Sequence, residues 1–366
     1  MDQALWQLPA VLCALLLLIG GVFEVRAQGF QRVSYGDDLF AVGGGARALG
    51  MGGAQAALVS DVTAGFWNPA GLAGVTRREL SYMHSERFGG LVAYDYAAFA
   101  APLRASEDVI GLSFFRQGVD GIKNTLNAWD RERDQPRANP QNYITEFSTY
   151  DMALLISYAT RYNEALTWGA SAKLVYSRLG PFANGFGYSV DAGAQYRSGR
   201  FMAAAVVHNL TTLMKLWTVN EDELEPLRDF FSDDELNTGF PVGQNEFTRP
   251  SLRTGVATWV DLQDFRITGA FDVQTHFDGR RTNSLNLGAT SFQPHFGIEG
   301  GYKETIFLRF GLTDVYTDQE SRLYVSPTLG AGFHVGSLTF DYGFASFAGI
   351  NAVLGHTHRI SALLRF

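Results

Sequence analysis

The chain closes on His356-Thr357-His358-Arg359-Ile360-Ser361-Ala362-Leu363-Leu364-Arg365-Phe366, and the reading of this stretch decides the fold. Ile360, Ala362, Leu364 and Phe366 fall on one side, while Arg359, Ser361 and Arg365 fall on the other; Leu363 is the one exception. Successive side chains of a strand point to opposite faces, so a strand here has one apolar and one charged face. A soluble strand can alternate in the same way. A terminal aromatic, however, suits the aromatic girdle that a membrane barrel places at the bilayer interface.

The same pattern recurs upstream. Leu166, Trp168, Ala170, Ala172, Leu174 and Tyr176 alternate with Thr167, Gly169, Ser171, Lys173, Val175 and Ser177. Phe186 to Arg197, Phe265 to His276, Leu323 to Val335 and Leu338 to Phe344 repeat it. One face is uncharged over whole strands and aromatic toward its ends. The other is mostly Gly, Ser, Thr and Ala with isolated charges, as a crowded lumen requires. The lengths match the ~9–11 residues of a tilted membrane strand. Short connections at Arg161-Tyr162-Asn163, Ser198-Gly199 and Gly336-Ser337 contrast with long polar ones at 117–148 and 210–250. Short turns face the periplasm in such barrels and long loops face outward. A first count gives about fifteen strands, whereas single-chain bacterial barrels have even numbers. Asn283–Phe292 is therefore read as an extended part of an outer loop ending at Pro294. The expectation is an all-β protein, a transmembrane antiparallel β-barrel of about fourteen strands over 79–366.

Composition agrees. The 366 residues are 46% hydrophobic and 13% aromatic, with 40 glycines and a net charge of −8. The acidic balance argues against nucleic acid, which demands a basic footprint. Residues 1–27 read as a secretory signal: an apolar run from Val11 to Phe23 precedes Val25-Arg26-Ala27, although no basic residue precedes the run. The only cysteine, Cys13, lies in that run, so a processed chain would have no disulfide, cysteine-zinc site or thiol nucleophile.

Residues 28–78 are not strand-like. They carry Gly43-Gly44-Gly45-Ala46-Arg47-Ala48-Leu49-Gly50-Met51-Gly52-Gly53-Ala54 and, further on, Trp67-Asn68-Pro69-Ala70-Gly71-Leu72. Small residues at this density let a backbone pack closely against strands, so the segment is expected in the lumen as a plug, with Gly45, Arg47, Gly50, Gly52, Gly53, Asn68, Pro69 and Gly71 as its motif. A nucleotide-loop reading fails: no strand precedes the glycines and no Gly-Lys-Ser/Thr closes them. Asp61, Thr63 and Asn68 read as turn and cap groups.

The run GARALGMGGA followed by WNPAGL resembles the opening of the PorV/PorQ family of bacterial outer-membrane proteins, which are related to FadL-type transporters of hydrophobic compounds. The resemblance extends to the end of the chain through Gly297-Ile298-Glu299, Phe307-Leu308-Arg309 and the LTFDYGFASF stretch at 338–347. It implies a FadL-like barrel with an N-terminal plug in the bacterial outer membrane, its partners being membrane lipid and, for members working in type IX secretion, exported cargo proteins and other secretion components. Passive transport of a hydrophobic small molecule is the alternative it implies.

The remaining candidates are charges predicted to face inward: Lys173, Asp191, Arg253, Arg266, Asp272, Glu299, Arg309, Asp341, Arg359 and Arg365. Pairing is their expected state, because an unpaired buried charge is costly. Loop 210–250 sets Trp217, Phe230 and Phe231 among acids. Acids by themselves only solvate a loop, but interleaved aromatics make a partner surface plausible. His276, His295, His356 and His358 do not form a metal-binding motif. No catalytic constellation and no cofactor-binding motif is present, so an enzyme is not expected.

Overall fold

The computed structural model describes residues 29–32, 38–87, 89–103, 107–130, 132–228, 231–232, 236, 244–282, 284–317, 322–346 and 356–366. The expected signal segment and Phe230 lie outside them. Among the described residues, fourteen strands close into an antiparallel barrel. They are β1 (Glu79–Arg87), β2 (Val92–Pro102), β3 (Val109–Asn124), β4 (Thr145–Arg161), β5 (Leu166–Leu179), β6 (Ala183–Ser198) and β7 (Phe201–His208). The second half comprises β8 (Ser251–Leu262), β9 (Phe265–His276), β10 (Thr290–Tyr302), β11 (Ile306–Thr317), β12 (Leu323–Val335), β13 (Leu338–Ser346) and β14 (His356–Arg365). Closure comes from β14 on β1, in a register running from Glu79 opposite Arg365 to Glu86 opposite His358. No helix among the described residues is long and apolar enough to cross a membrane; the crossing elements are strands.

The alternation sorts side chains as the sequence predicts. Trp168, Tyr176, Tyr188 and Tyr196 are exposed on the outer wall, while Ser171, Lys173 and Asp191 are buried on the inner one. In β14, Ile360 and Leu364 point outward, whereas Arg359, Ser361 and the exceptional Leu363 are buried. An outward wall this apolar is stable only against lipid.

Two irregularities shape the long-loop end. β7 is short: the chain turns at Asn209 (φ 55) and Thr212 (φ 64), then 213–219 resumes pairing with the upper half of β6. A further strand at 244–248 pairs with 213–215 and, in parallel, with 29–32. The second irregularity corrects the reading of 283–292. Only 285–287 forms the loop strand, and it folds back on 290–292, which already belongs to β10. Pro294 lies inside β10 and does not end a loop. β10 tolerates it because β11 pairs with β10 only from Phe296 onward, leaving no β11 partner at position 294 to receive an N–H.

Residues 38–75 lie within the barrel, and 76–78 lead out at the rim to β1. Short helical turns at Asp38–Ala41, Ala46–Gly50 and Ala64–Trp67 and a 3-10 turn at Pro69–Gly74 are joined by tight bends. Phe40, Phe66 and Trp67 pack with Phe115, Tyr94, Tyr96 and Leu155 of the wall as the main apolar core.

Candidate functional site

Close contact between the inner segment and the wall rests on glycine. Gly50 lies against Gly330 of β12, where an added Cβ would stand 2.8 Å from the Gly330 Cα. Gly52 has φ +63, and its Cβ would fall 2.6 Å from the Phe296 carbonyl and 2.7 Å from that of Leu312. Asn68 caps the turn begun by Pro69: its side chain accepts from Ala70 N at 3.2 Å and donates to Ala56 O at 3.0 Å. Gly45 turns at φ 88 so that the next amide, Ala46 N, donates to Ser361 at 3.0 Å. Gly53 (φ 84) offers its carbonyl to Arg253 at 3.5 Å, and Gly71 packs under the bend at Val59.

Half of the inward charges meet in two groups. Arg47 of the segment clamps Glu299 with two bonds of 2.9 and 2.8 Å; Glu299 also accepts from Arg309 Nε at 2.5 Å, and Arg309 reaches Asp341 at 2.7 Å. This chain of alternating charge joins segment, β10, β11 and β13. Arg47 holds its proton more firmly than a free guanidinium: burial opposes the charge, but the Glu299 carboxylate outweighs it. The second group surrounds the β7 break. Asp191 accepts from Lys173 at 2.7 Å, from His208 at 3.0 Å and from the Asn209 amide at 2.8 Å, so the left-handed Asn209 is pinned where the strand stops.

Asp272 binds the segment directly, accepting from Gln55 N and Ala56 N at 2.8 Å each. Arg359 donates to the carbonyls of Gly45 (3.2 Å) and Val42 (2.7 Å). Arg365 pairs with Glu79 at 2.9 Å. One inward assignment fails. Arg266 has the inward parity but lies so close to the β8–β9 turn that it emerges beyond the mouth, exposed and paired with Asp261 and Glu304 at 2.7 and 2.9 Å.

Sequence reading gave His295, Glu79, His208 and Gln195 no role in holding the segment. His295 donates from Nδ1 to Gly52 O at 2.8 Å, which leaves Nε2 to accept from Arg253 at 3.1 Å. Glu79 accepts from Val62 N at 2.7 Å, and Gln195 holds the carbonyls of Ala56 and Val59 at 3.0 Å each. Each is an inward-parity position, but only the fold shows which amide, carbonyl or carboxylate lies opposite.

Among the described residues, the segment separates two cavities that share no lining residue. Toward the long loops lies one of about 560 Å³, with a floor of Phe40, Val42, Leu49, Phe66 and Trp67 and walls carrying Lys173, Asp191, His208, Arg253, His295 and Arg359. Arg253 lies over the Trp67 ring at 5.0 Å and Lys173 over the Phe40 ring at 4.7 Å, so floor and walls are stitched by cation–π contact. Toward the short turns lies one of about 500 Å³ lined by Arg47, Asp61, Glu79, His334 and Arg365. Among the described residues no group of three or more His, Cys, Asp or Glu could hold a metal ion.

Beside the larger cavity the wall is broken. β10 pairs with β11 only over Phe296–Tyr302, and 285–287 occupies the same edge at 290–292. Gln293, Pro294 and His295 therefore face no strand on that edge. Across the break, Asp314 turns at φ 48 and β11 shifts register against β12 between Thr313 and Tyr316.

The candidate partner-loop residues are not brought together. Trp217 is half-buried in strand 213–219 against Gly185 and beside Lys215, while Phe231 is 46% exposed. The loop is partly folded: Leu224, Leu227 and Leu236 pack on Phe182 of the β5–β6 turn.

No known protein-family profile matches the chain, and no curated protein does. Solved structures do. A monoaromatic hydrocarbon channel, CymD, superposes with a TM-score of 0.55 at 14% identity, covering 89% of this chain and 98% of that one. The Pseudomonas putida toluene transporter TodX gives 0.53 at 13% identity over 88% and 96%. The chain thus has the barrel fold of these two structures.

Proposed function

We propose that the protein is a bacterial outer-membrane barrel that passes a small hydrophobic molecule from its outer cavity sideways into the bilayer. The observation that carries this reading is the wall break at Gln293–His295 beside a cavity with an aromatic floor. A hydrophobic molecule leaving that floor straight through the lumen would meet the Arg47–Glu299–Arg309 chain, where nothing apolar receives it. Leaving sideways, it exchanges one apolar surrounding for another, and no energy source is required. The barrel fold shared with a toluene transporter and a monoaromatic channel supports the same reading. Uptake of a labelled monoaromatic such as toluene into vesicles bearing the protein tests it. Val42→Trp, which fills the cavity, should cut uptake by about tenfold, the equivalent of ~1.4 kcal/mol of barrier, while heat-modifiable gel migration stays that of a folded barrel. Undiminished uptake in a folded variant would sink the proposal.

The handling of exported proteins in type IX secretion, which the PorV/PorQ resemblance implies, is a second reading. It is favoured by the folded loop core around Phe182, Leu224 and Leu227, which makes the long-loop layer a platform for a partner. Trp217→Ala with Phe231→Ala should then lower recovery of a surface partner in crosslinking pull-downs, losing a hot spot at each position, ~2 kcal/mol or more. Equal recovery would discard that reading.

A further inference from the structure

The lipid-facing wall is uneven. On β5 and β6 it is uncharged from Trp168 to Tyr176 and from Tyr196 to Tyr188, roughly 20 Å of height at ~3.3 Å per residue and a ~40° tilt. On four adjoining strands it stops early. The outward series are Phe99, Ala97, Asp95 on β2; Leu80, Tyr82, His84, Glu86 on β1; Ile360, His358, His356 on β14; and Phe114, Arg116 on β3. The Asp95 carboxylate stands only about 10 Å above Phe99.

These groups form one patch. His84 lies in register with Asp95 and Ile360, Glu86 with His358, and Asp95 with Arg116. Tyr82 donates to Asp95 at 2.7 Å, His84 lies 2.9 Å from the same oxygen, and the Tyr342 hydroxyl lies 2.8 Å from His358. Their side chains remain open, at 40% for His84, 64% for Glu86 and 30% for Asp95. Lipid tails solvate such groups poorly even where they pair with one another, so a polar surface laid over them lowers the cost of holding them at this height.

The arrangement points to the cover. On one side of β1 stand two imidazoles, His356 and His358 on β14. On the other stand two carboxylates, Asp95 and Asp120, with one guanidinium, Arg116, bonded to Asp120 at 3.1 Å. A two-fold axis along the membrane normal beside β1 lays β14 of each copy against β2 and β3 of the other, so each imidazole pair meets Asp95 and the Arg116–Asp120 pair twice. The Glu86 side chains of the two copies face one another, each in register with a His358. Such a self-complementary contact closes at two copies. Tyr82 and Tyr342, 54% and 41% exposed, supply the aromatic surface that interface cores favour. We propose that this face of the barrel, from β14 across β1 to β3, pairs two copies of the chain in the membrane. The pairing does not depend on what the barrel carries.

The test uses the full chain with Cys13→Ser, in lipid nanodiscs taken directly from membranes. Ala97→Cys mixed with Ala362→Cys, which flank Tyr82 in register, should give disulfide-linked dimers on mild oxidation, whereas Ala172→Cys on β5 should not. Native mass spectrometry should show a two-copy mass. Asp95→Lys should reduce it by about tenfold or more, since like charges across an interface repel, and His358→Glu in the same chain should restore it. Gel migration after heating reports that each variant is folded. A one-copy mass for the folded native chain, equal crosslinking at Ala172→Cys, or a different protein on this face would each overturn the proposal.

Discussion

At the scale of single residues, the seat of the inner segment depends on atoms that are missing as much as on those present. Gly52 combines a left-handed φ of +63 with carbonyls 2.6 and 2.7 Å from any Cβ. Gly52→Val should therefore destabilise the folded barrel by about 2–5 kcal/mol, the sum of backbone strain and overpacking, read as a fall in the urea midpoint in vesicles. A shift below 0.5 kcal/mol would mean that the segment moves aside freely. Glu299 is the opposite case, a carboxylate shared by Arg47 and Arg309. Glu299→Gln should cost ~3–5 kcal/mol, as breaking a buried pair does. Arg309 keeps Asp341, so the charge stranded is that of Arg47. Adding Arg47→Met should recover most of the loss. If the double variant is as unstable as the single one, the damage lies elsewhere.

Elements carry the topology. The turns at 161–166, 198–201 and 335–338 lie at one rim and the connections 124–145 and 208–251 at the other. A tag at Asn139 is expected to be labelled on intact cells and one at Gly199 to be protected; labelling at Gly199 would reverse the rims. The loop from β9 to β10 is closed by a clasp. Arg281 holds Asp278 at 3.1 and 2.6 Å, and Ser284, Asn286 and Ser291 close the ring of bonds around it. Burial pushes the Asp278 carboxyl up, but the Arg281 bond and charge outweigh it and hold it below the usual range. A depressed carboxyl stabilises above its unfolded value of ~3.9 and loses that contribution as pH falls through the lower folded value. The loop should therefore resist a protease at neutral pH and loosen only below about pH 4. Asp278→Asn should make it roughly tenfold easier to cut at pH 7, the equivalent of ~1.4 kcal/mol of local opening. Unchanged cutting would show that the clasp does not hold the loop.

At the scale of the whole molecule, the barrel is two vestibules separated by one threaded segment. Deleting 38–76 would join the cavities, so conductance in a planar bilayer should rise by at least about tenfold, a 1.4 kcal/mol fall in the barrier to ions. A folded barrel of unchanged conductance would show that the segment does not seal the lumen. The Arg47–Glu299 clamp, the Asp272 cradle and the Arg359 bonds all fasten the segment to the wall, so its release as a body would require breaking every one of them.

By itself the sequence determined the alternating strands and their faces and set short connections apart from long ones, because a period of two and a run of small residues are local properties of the chain. Counted from sequence the strands first came to about fifteen, and only barrel closure fixed fourteen. Lys173, Asp191 and Arg359 could be placed inward on parity alone. Tertiary structure decided everything set by distance across the lumen: that His295 completes the Arg253 cluster, that Glu79 holds the Val62 amide, and that Arg266 lies beyond the rim. It alone decided where pairing lapses. Pro294 signals a missing donor in any strand, but whether that donor would have had a partner depends on β11, which turns away at Asp314. Parity follows from neighbouring bonds along the chain, whereas the opposite wall is brought near only when the barrel closes.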